Sequence, residues 1–249
     1  MAANQNTENL VKAILSFNLP LVHLALGAGA DPTAVVDNRD NTPLTLAARH
    51  ANPEVMKVIL FNSTKPIPRG ALCAALAVAT ICDNIMCMRA LLVRSTGLAG
   101  EPFCSDGLYP LHLVQSQDAA YTLLAAGAPP GAQTNKTRRT PLMAAAARGR
   151  FDLMMALGAD PDVVAMVDAE GHTLEQIAMT APVNTTNTVF VAAALRDMSA
   201  ARRRHNDGDL PANAPLVALL SPRPATPPPA GTSTARLYEP SSPQPMPVQ

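Results

Sequence analysis

Short apolar stretches come in pairs along the first two thirds of the chain. In the clearest pair, Leu142, Ala145 and Ala146 are spaced three and one residues apart, and Leu153 and Leu157 follow four residues apart. Such spacing places apolar side chains on one face of a helix. Each pair therefore predicts two short amphipathic helices. Neither helix could bury its apolar face alone, so the pattern favours a stack of similar units.

A recurring motif marks the start of the first helix in a pair. Thr42-Pro43-Leu44 and Thr140-Pro141-Leu142 lead into alanine-rich segments, and Tyr109-Pro110-Leu111-His112 does the same between them. Threonine at the N-cap accepts a hydrogen bond from a free amide of the first turn. Proline at the next position loses only an N–H that has no partner within the helix. Each motif therefore predicts a helix start.

A second motif follows the second helix of a pair. It reads Gly29-Ala30-Asp31-Pro32, then Gly127-Ala128-Pro129-Pro130, then Gly158-Ala159-Asp160-Pro161. Glycine adopts the left-handed conformation that ends a helix, and the proline that follows prevents further helix. The glycines are 98 and 31 residues apart and the prolines of the start motifs 67 and 31, which indicates one period near 33.

This period and these two motifs resemble the ankyrin repeat. The resemblance implies an all-α solenoid of about six stacked helix-turn-helix units with short hairpin-like finger turns. The expected units lie in one domain, residues 1–205, at about 6–36, 37–68, 69–103, 104–134, 135–167 and 168–204. The third unit has Ala74-Ala75 in place of Thr-Pro, the fourth is shortened in its first helix or loop, and the sixth has Leu174-Glu175 where Pro-Leu is expected.

Proline dominates after a last predicted helix near residues 188–204. Pro-rich chain without periodic apolar positions is typical of disorder, so residues 206–249 are expected to form a disordered tail. Pro-x-x-Pro spacing and the Ser-Pro and Thr-Pro pairs at Ser221, Thr226 and Ser242 leave docking or phosphorylation of this tail open, and a passive linker is the favoured interpretation.

Composition narrows the setting. The formal net charge is zero, which argues against nucleic-acid or membrane binding driven by overall charge. No apolar run approaches the roughly 20 residues needed to span a bilayer, and Met1 to Leu10 lacks a signal-peptide pattern. The four cysteines lack zinc-site spacing and are expected to be reduced core thiols: Cys73, Cys82, Cys87 and Cys104. We therefore expect a cytoplasmic protein, with the nucleus, or the host cytoplasm for an effector, as alternatives.

Catalytic chemistry finds little support in the sequence. The five histidines form no nucleophile, base or metal arrangement, and no Gly-rich phosphate loop follows a strand, so we expect no enzyme activity, cofactor or metal. His112 occupies the position of the ankyrin histidine, and the resemblance implies a hydrogen-bonded structural role between repeats. Asp168 and Glu170 fall on an expected finger turn, where solvated carboxylates are common.

Ankyrin-repeat proteins bind partners through a concave strip formed by the finger turns and the exposed ends of the first helices. Carried over position by position, the resemblance selects these partner-binding candidates: Asn38, Arg39, Asn41, Arg49, His50, Asp106, Leu108, Ser116, Gln117, Lys136, Arg138, Arg139, Arg148, Glu170 and His172. In the fifth unit Lys136, Arg138, Arg139 and Arg148 form an expected basic patch, with Leu108 as a neighbouring exposed apolar contact. Guanidinium groups pair well with carboxylates and phosphates, so an acidic or phosphorylated protein segment is the expected ligand.

Together these features predict a non-enzymatic scaffold or adaptor for protein–protein interaction, monomeric in isolation. Two alternatives remain open. The first is a host-directed effector or viral modulator that captures a host protein. The second is a stoichiometric enzyme inhibitor or regulatory subunit. The sequence does not separate the three.

Overall fold

The computed structural model describes residues 2–50, 53–157 and 160–180, and within these ranges all regular structure is helical. The all-α prediction is confirmed. The helices are α1 Ala2–Leu15, α2 Leu19–Gly27, α3 Pro43–Arg49, α4 Pro53–Asn62, α5 Arg69–Ile81, α6 Ile85–Arg94, α7 Gln117–Ala125, α8 Pro141–Ala147, α9 Phe151–Leu157, α10 Pro161–Ala165 and α11 Leu174–Thr180, with short 3-10 helices at Leu98–Gly100 and Pro110–Leu113.

The Thr-Pro motifs begin helices as predicted. Thr42 is the N-cap of α3, and its hydroxyl accepts a hydrogen bond from the backbone N–H of Thr45 at 3.2 Å. Thr140 does the same for α8, accepting from the N–H of Met143 at 3.2 Å. Each threonine satisfies an amide that the helix itself leaves without a partner. The caps therefore fix where the first helices of the second and fifth units begin.

The glycine motifs end helices at two of three sites. Gly29 (φ +86°) and Gly127 (φ +84°) adopt the left-handed conformation just after α2 and α7. At the third site, Gly158 and Ala159 lie outside the described residues. The expectation that Asp160-Pro161 blocks further helix is wrong. Asp160 instead caps α10, since its carboxylate accepts from the N–H of Asp162 at 3.0 Å and Pro161 takes the first helical position.

The helices form two layers. In the first-helix layer, α1, α3, α5, the 3-10 helix Pro110–Leu113, α8 and α11 pack successively on one another. In the second-helix layer, α2, α4, α6, α7 and α9 do the same. Large side chains from both layers are fully buried between them, among them Leu26, Leu44, Met56, Leu76, Leu91, Leu111 and Leu123. This arrangement buries each apolar face against neighbouring units, as a solenoid requires.

Two units depart from the regular pattern. The third unit has no Thr-Pro motif to fix the start of its first helix. Helix α5 therefore begins earlier, at Arg69, and occupies the stretch where the second, fourth, fifth and sixth units have a finger turn. Its first residue is anchored, because Arg69 Nε donates to Glu101 Oε1 at 2.6 Å. In the fourth, the first helix is reduced to the 3-10 helix Pro110–Leu113, in line with the predicted shortening.

Several expectations lie outside the described residues, namely the helix near 188–204 and the Pro-rich tail 206–249. The unit and domain boundaries stay predictions. Among the helices of the described ranges, none combines the length and apolar character that a membrane crossing demands.

Candidate functional site

Within the described residues, four finger turns precede first helices, and each is closed by a backbone hydrogen bond. We number them by unit: finger 2 is 36–41, finger 4 is 103–108, finger 5 is 134–139 and finger 6 is 168–172. The closing bonds run from Val36 N to Asn41 O, Phe103 N to Leu108 O, Thr134 N to Arg139 O and Asp168 N to His172 O, at 2.9 to 3.1 Å.

Fingers 4, 5 and 6 are joined edge to edge. Asn135 donates from its backbone N to Asp106 O at 2.8 Å and from Nδ2 to Ser105 O at 2.9 Å. Ala169 N donates to Thr137 O at 2.9 Å. These three fingers form one continuous surface, which we call the finger rim. Finger 2 stands apart from it, because α5 replaces a third finger.

Ion pairs also cross between fingers of the rim. Lys136 Nζ lies 2.7 Å from Asp106 Oδ1, and this hydrogen-bonded pair raises the pKa of Lys136. Arg139 Nε lies 3.6 Å from Oδ2 of the buried Asp168; this Nε is itself buried and makes no hydrogen bond to any described residue. The basic patch therefore offers fewer unpaired cations than predicted, because two of its four cations face carboxylates on adjacent fingers.

The other two cations of the patch differ from each other. Arg148 is tied to the backbone, donating from Nε to Ala144 O at 3.0 Å and from Nη2 to His112 O at 3.2 Å. Burial and the nearby Arg150 lower the pKa of Arg148. Arg138 is exposed, and its guanidinium has no partner among the described residues.

The backbone of Arg138 is held in an uncommon conformation. Its φ of +49° lies in the left-handed region, which costs energy for a residue with a side chain. Two bonds fix it there: Arg138 N donates to Thr134 O at 2.9 Å, and Gln133 Nε2 donates to Arg138 O at 2.8 Å. The free cation of finger 5 is therefore carried on a well-defined turn.

Finger 2 presents some of its predicted residues and buries another. Asn38 and Arg39 are exposed on the finger, as are Arg49 and His50 at the end of α3. The expectation for Asn41 is wrong, because its side chain is only 8% exposed and works within the finger. Asn41 donates from Nδ2 to Asp37 Oδ2 at 2.7 Å and accepts from Arg49 Nη2 at 3.2 Å.

In the fourth unit the predicted residues hold neighbouring units together. Ser116 and Gln117 begin the second helix, α7, rather than ending the first, because that first helix is so short. The Ser116 hydroxyl donates to Asp83 Oδ1 at 2.5 Å, and Gln117 Nε2 donates to Asp152 O at 3.0 Å. Leu108 is half-buried, so less of its side chain is available for the apolar contact expected there.

Asp168, Glu170 and His172 come together on finger 6. His172 Nδ1 lies 3.4 Å from Asp168 Oδ2 and 3.3 Å from Glu170 Oε2, so the three offer ligand atoms within 4.8 Å of one another. Asp168 Oδ1, however, accepts from the N–H groups of Glu170 and His172. Burial opposes ionisation of Asp168, but these bonds outweigh it and lower its pKa. Arg139 lies against Oδ2 of Asp168. These contacts stabilise the turn, and Glu170 and His172 are its more exposed members.

His112 performs the structural role that the resemblance implied. It is 4% exposed, and its Nδ1 accepts from Tyr109 N at 3.3 Å, which places the proton on Nε2. Nε2 then donates to Arg139 O at 3.0 Å, linking unit 4 to finger 5. Thr45 and Gln176 accept the bond equivalent to that from Tyr109: each side-chain oxygen accepts from the backbone N–H of the residue three positions earlier.

We expect the protein to lose stability as pH falls through the ordinary histidine range. Burial lowers the pKa of His112 from its usual 6.5, because charging the ring would leave a cation near Arg148 with little solvent. The unfolded chain therefore binds this proton more tightly than the folded protein does. The contribution of His112 to the free energy of unfolding is complete above pH 6.5 and is lost as the pH falls below it. Urea unfolding of wild type and His112→Gln at about pH 7.5 and pH 5.5 measures this.

The glutamine variant supplies the control, because Gln176 shows that glutamine can make the same bond to the N-cap backbone. Wild type should lose more stability than His112→Gln on acidification. Equal losses would mean that His112 contributes nothing to the pH dependence.

The stacked helix pairs, with finger turns projecting from one layer, define a helical repeat solenoid. A sequence model of the family described as ankyrin repeats in many copies matches residues 10–60. Among solved structures, the chain is similar to the ankyrin repeat domain of Bcl-3, described as a unique member of the IkappaB protein family. The TM-score is 0.59 at 21% identity, over 74% of this chain and 81% of that chain. No curated protein sequence matches the chain.

Residues 10–60 match the ankyrin-repeat family, and the described helix stack is similar in fold to a solved ankyrin-repeat domain. Such repeats indicate a module for protein–protein interaction, and the ankyrin fold is typically non-enzymatic. The similarity to the Bcl-3 domain extends to the fold alone.

Proposed function

We propose that this protein is a non-enzymatic scaffold that holds a partner protein against finger 2 and the finger rim. The observation that carries the proposal is Arg138, an exposed cation without a partner on a turn fixed by two hydrogen bonds. A rigidly presented guanidinium binds with less loss of conformational freedom than a mobile one.

The proposed ligand is an acidic or phosphorylated segment. Arg138 on finger 5 is exposed, and its guanidinium makes no ion pair or hydrogen bond with a described side chain. Arg39 on finger 2 is also exposed, and, after the hydrogen bonds from Asn41, its charge helps to lower the pKa of Asp37 on the same finger. Guanidinium groups bind carboxylates and phosphates in a two-pronged geometry. Lys136 and Arg139 contribute less to this surface, because Asp106 and Asp168 already face them.

The setting we propose is the cytoplasm, with the protein monomeric before it binds. Support comes from the four cysteines, all of which are free thiols, including the exposed Cys82. Free thiols persist in reducing compartments.

Peptide arrays test the proposal with a defined probe. The full chain is applied to randomised peptides in unmodified, acidic and phosphoserine-containing sets, alongside Arg138→Glu and the matched control Arg89→Glu. Arg89 is also an exposed arginine without a partner among the described residues, but it lies on α6 in the second-helix layer. Reversing a charge that contacts the ligand should lower the affinity for acidic peptides by about tenfold.

We expect wild type and Arg89→Glu to retain acidic or phosphorylated peptides and Arg138→Glu to lose them. Retention by all three proteins would place the ligand site away from Arg138. Loss in both variants would indicate attraction by net charge without a site.

A further inference from the structure

An open groove of about 600 Å³ separates α6 from α7 in the second-helix layer. Leu92 and Val93 line it from α6, and Tyr121 and Ala125 line it from α7. Val93 is 77% exposed and Tyr121 is 52% exposed, so two large apolar side chains face solvent in one depression. Covering them would be favourable, because removing apolar surface from water stabilises a contact.

The groove also carries one charge of each sign. Arg89 and Asp118 both line it, both are exposed, and neither makes an ion pair or hydrogen bond with another described side chain. A matching segment should therefore combine an apolar run with an acidic and a basic residue. This charge pattern separates the groove from finger 5, where the unpaired charge is the cation of Arg138.

The chain itself contains such a segment beyond Thr180. Leu216-Val217-Ala218-Leu219-Leu220 is the longest apolar run within residues 206–249, and it stands between Pro215 and Pro222. Asp209 precedes the run and Arg223 follows it. These two charges are opposite in sign to Arg89 and Asp118.

The connecting length is sufficient. Leu216 follows Thr180 by 36 residues, which span about 54 Å even if wholly helical. The axes of packed helices lie about 8 to 10 Å apart. The path from α11 through α8 and α9 to α7 crosses three such contacts, which amounts to about 30 Å. A tethered segment also has a high effective concentration at its site, which favours it over a free ligand.

We propose that residues 216–220 pack into the groove between α6 and α7, with Arg223 facing Asp118 and Asp209 facing Arg89. The Pro-rich part of the chain then covers an apolar surface of its own repeat stack. The finger rim plays no part in this contact.

The chain has no tryptophan, so a single introduced tryptophan can report on the groove without background fluorescence from another. In full-length Tyr121→Trp, the indole should be shielded, giving a short emission wavelength and weak acrylamide quenching. Adding Leu216→Ser, Leu219→Ser and Leu220→Ser should shift emission to longer wavelength and raise the quenching constant several-fold. Phe61→Trp is the matched control, since Phe61 is 61% exposed on α4 outside the groove and the serine changes should leave it unaltered.

A charge exchange tests the orientation. Asp118→Arg in the Tyr121→Trp protein should expose the indole, and adding Arg223→Asp should shield it again. Helix content by circular dichroism is compared in every variant, and Val93→Trp replaces the reporter if Tyr121→Trp does not fold.

Equal quenching with and without the three serines would overturn the proposal. So would shielding that disappears on dilution, because a second copy would then be filling the groove. Shielding that persists on dilution and is lost with the serines supports it.

Discussion

Leu111→Ala should lower the free energy of unfolding by about 2 to 5 kcal/mol, the usual range for a buried leucine cut back to alanine. Leu111 is fully buried in the 3-10 helix Pro110–Leu113, which is only four residues long. This short helix packs on α5 on one side and on α8 on the other. Leu111 is the fully buried leucine of this short helix, so its truncation removes much of the apolar contact that the helix makes.

The loss should also change how the protein unfolds. Stability in a repeat stack is close to a sum of units and their interfaces with nearest neighbours. A weak fourth unit should therefore uncouple units 1 to 3 from units 5 and 6. Urea unfolding followed by circular dichroism should broaden or split into two transitions, and the apparent slope should fall.

Leu24→Ala is the control for this experiment. Leu24 is 69% exposed on α2, so its truncation should change stability by less than about 0.5 kcal/mol and keep the unfolding curve unchanged. An unsplit curve for Leu111→Ala with an equally small loss would show that the fourth unit does not couple the two halves.

Gly107→Ala is expected to destabilise the contact between fingers 4 and 5. Gly107 has φ +70°, where a side chain costs about 1 to 2 kcal/mol. A Cβ there would also lie 2.7 Å from Asn135 Oδ1 and 3.1 Å from Asn135 N. Finger 5 must then move, and the 2.8 Å bond from Asn135 N to Asp106 O should be weakened. Chemical unfolding measures the combined cost.

Gly127→Ala separates the two causes. Gly127 has φ +84° and nothing within 4 Å of the added Cβ, so this variant carries the conformational cost alone. The excess loss in Gly107→Ala measures the finger contact. Adding Asn135→Ala should recover part of that excess, since the backbone N remains close. Equal losses at the two glycines would mean that the fingers accommodate the methyl group freely.

The features that the sequence predicted are local ones. Thr42 and Thr140 cap helices with groups three residues away, and Gly29 and Gly127 end helices through their own backbone. The missing finger of the third unit was not predicted. Loss of Thr-Pro left only apolar spacing at Ala74-Ala75, and that spacing does not show how far back α5 extends.

The pairing of charges between fingers was also missed, although the repeat carried a signal for it. Asp106 and Lys136 occupy neighbouring positions of successive fingers, so superposing those two units would have brought their opposite charges together. Arg139 ends finger 5 whereas Asp168 begins finger 6, so repeat position alone does not predict their pairing. Exposure at Leu108 and Ser116 could not be predicted in the same way. Both depend on how much chain the shortened fourth unit leaves available to cover them.

The extension of α5 has a consequence for binding strength. With a helix where the third finger would lie, finger 2 and the finger rim, the two parts of the proposed binding surface, are separated on one solenoid. A ligand that bridges them makes its second contact at a high local concentration set by its own linker. Its avidity then depends on the spacing of two weak epitopes, so lengthening that linker would tune residence time without changing a single contact.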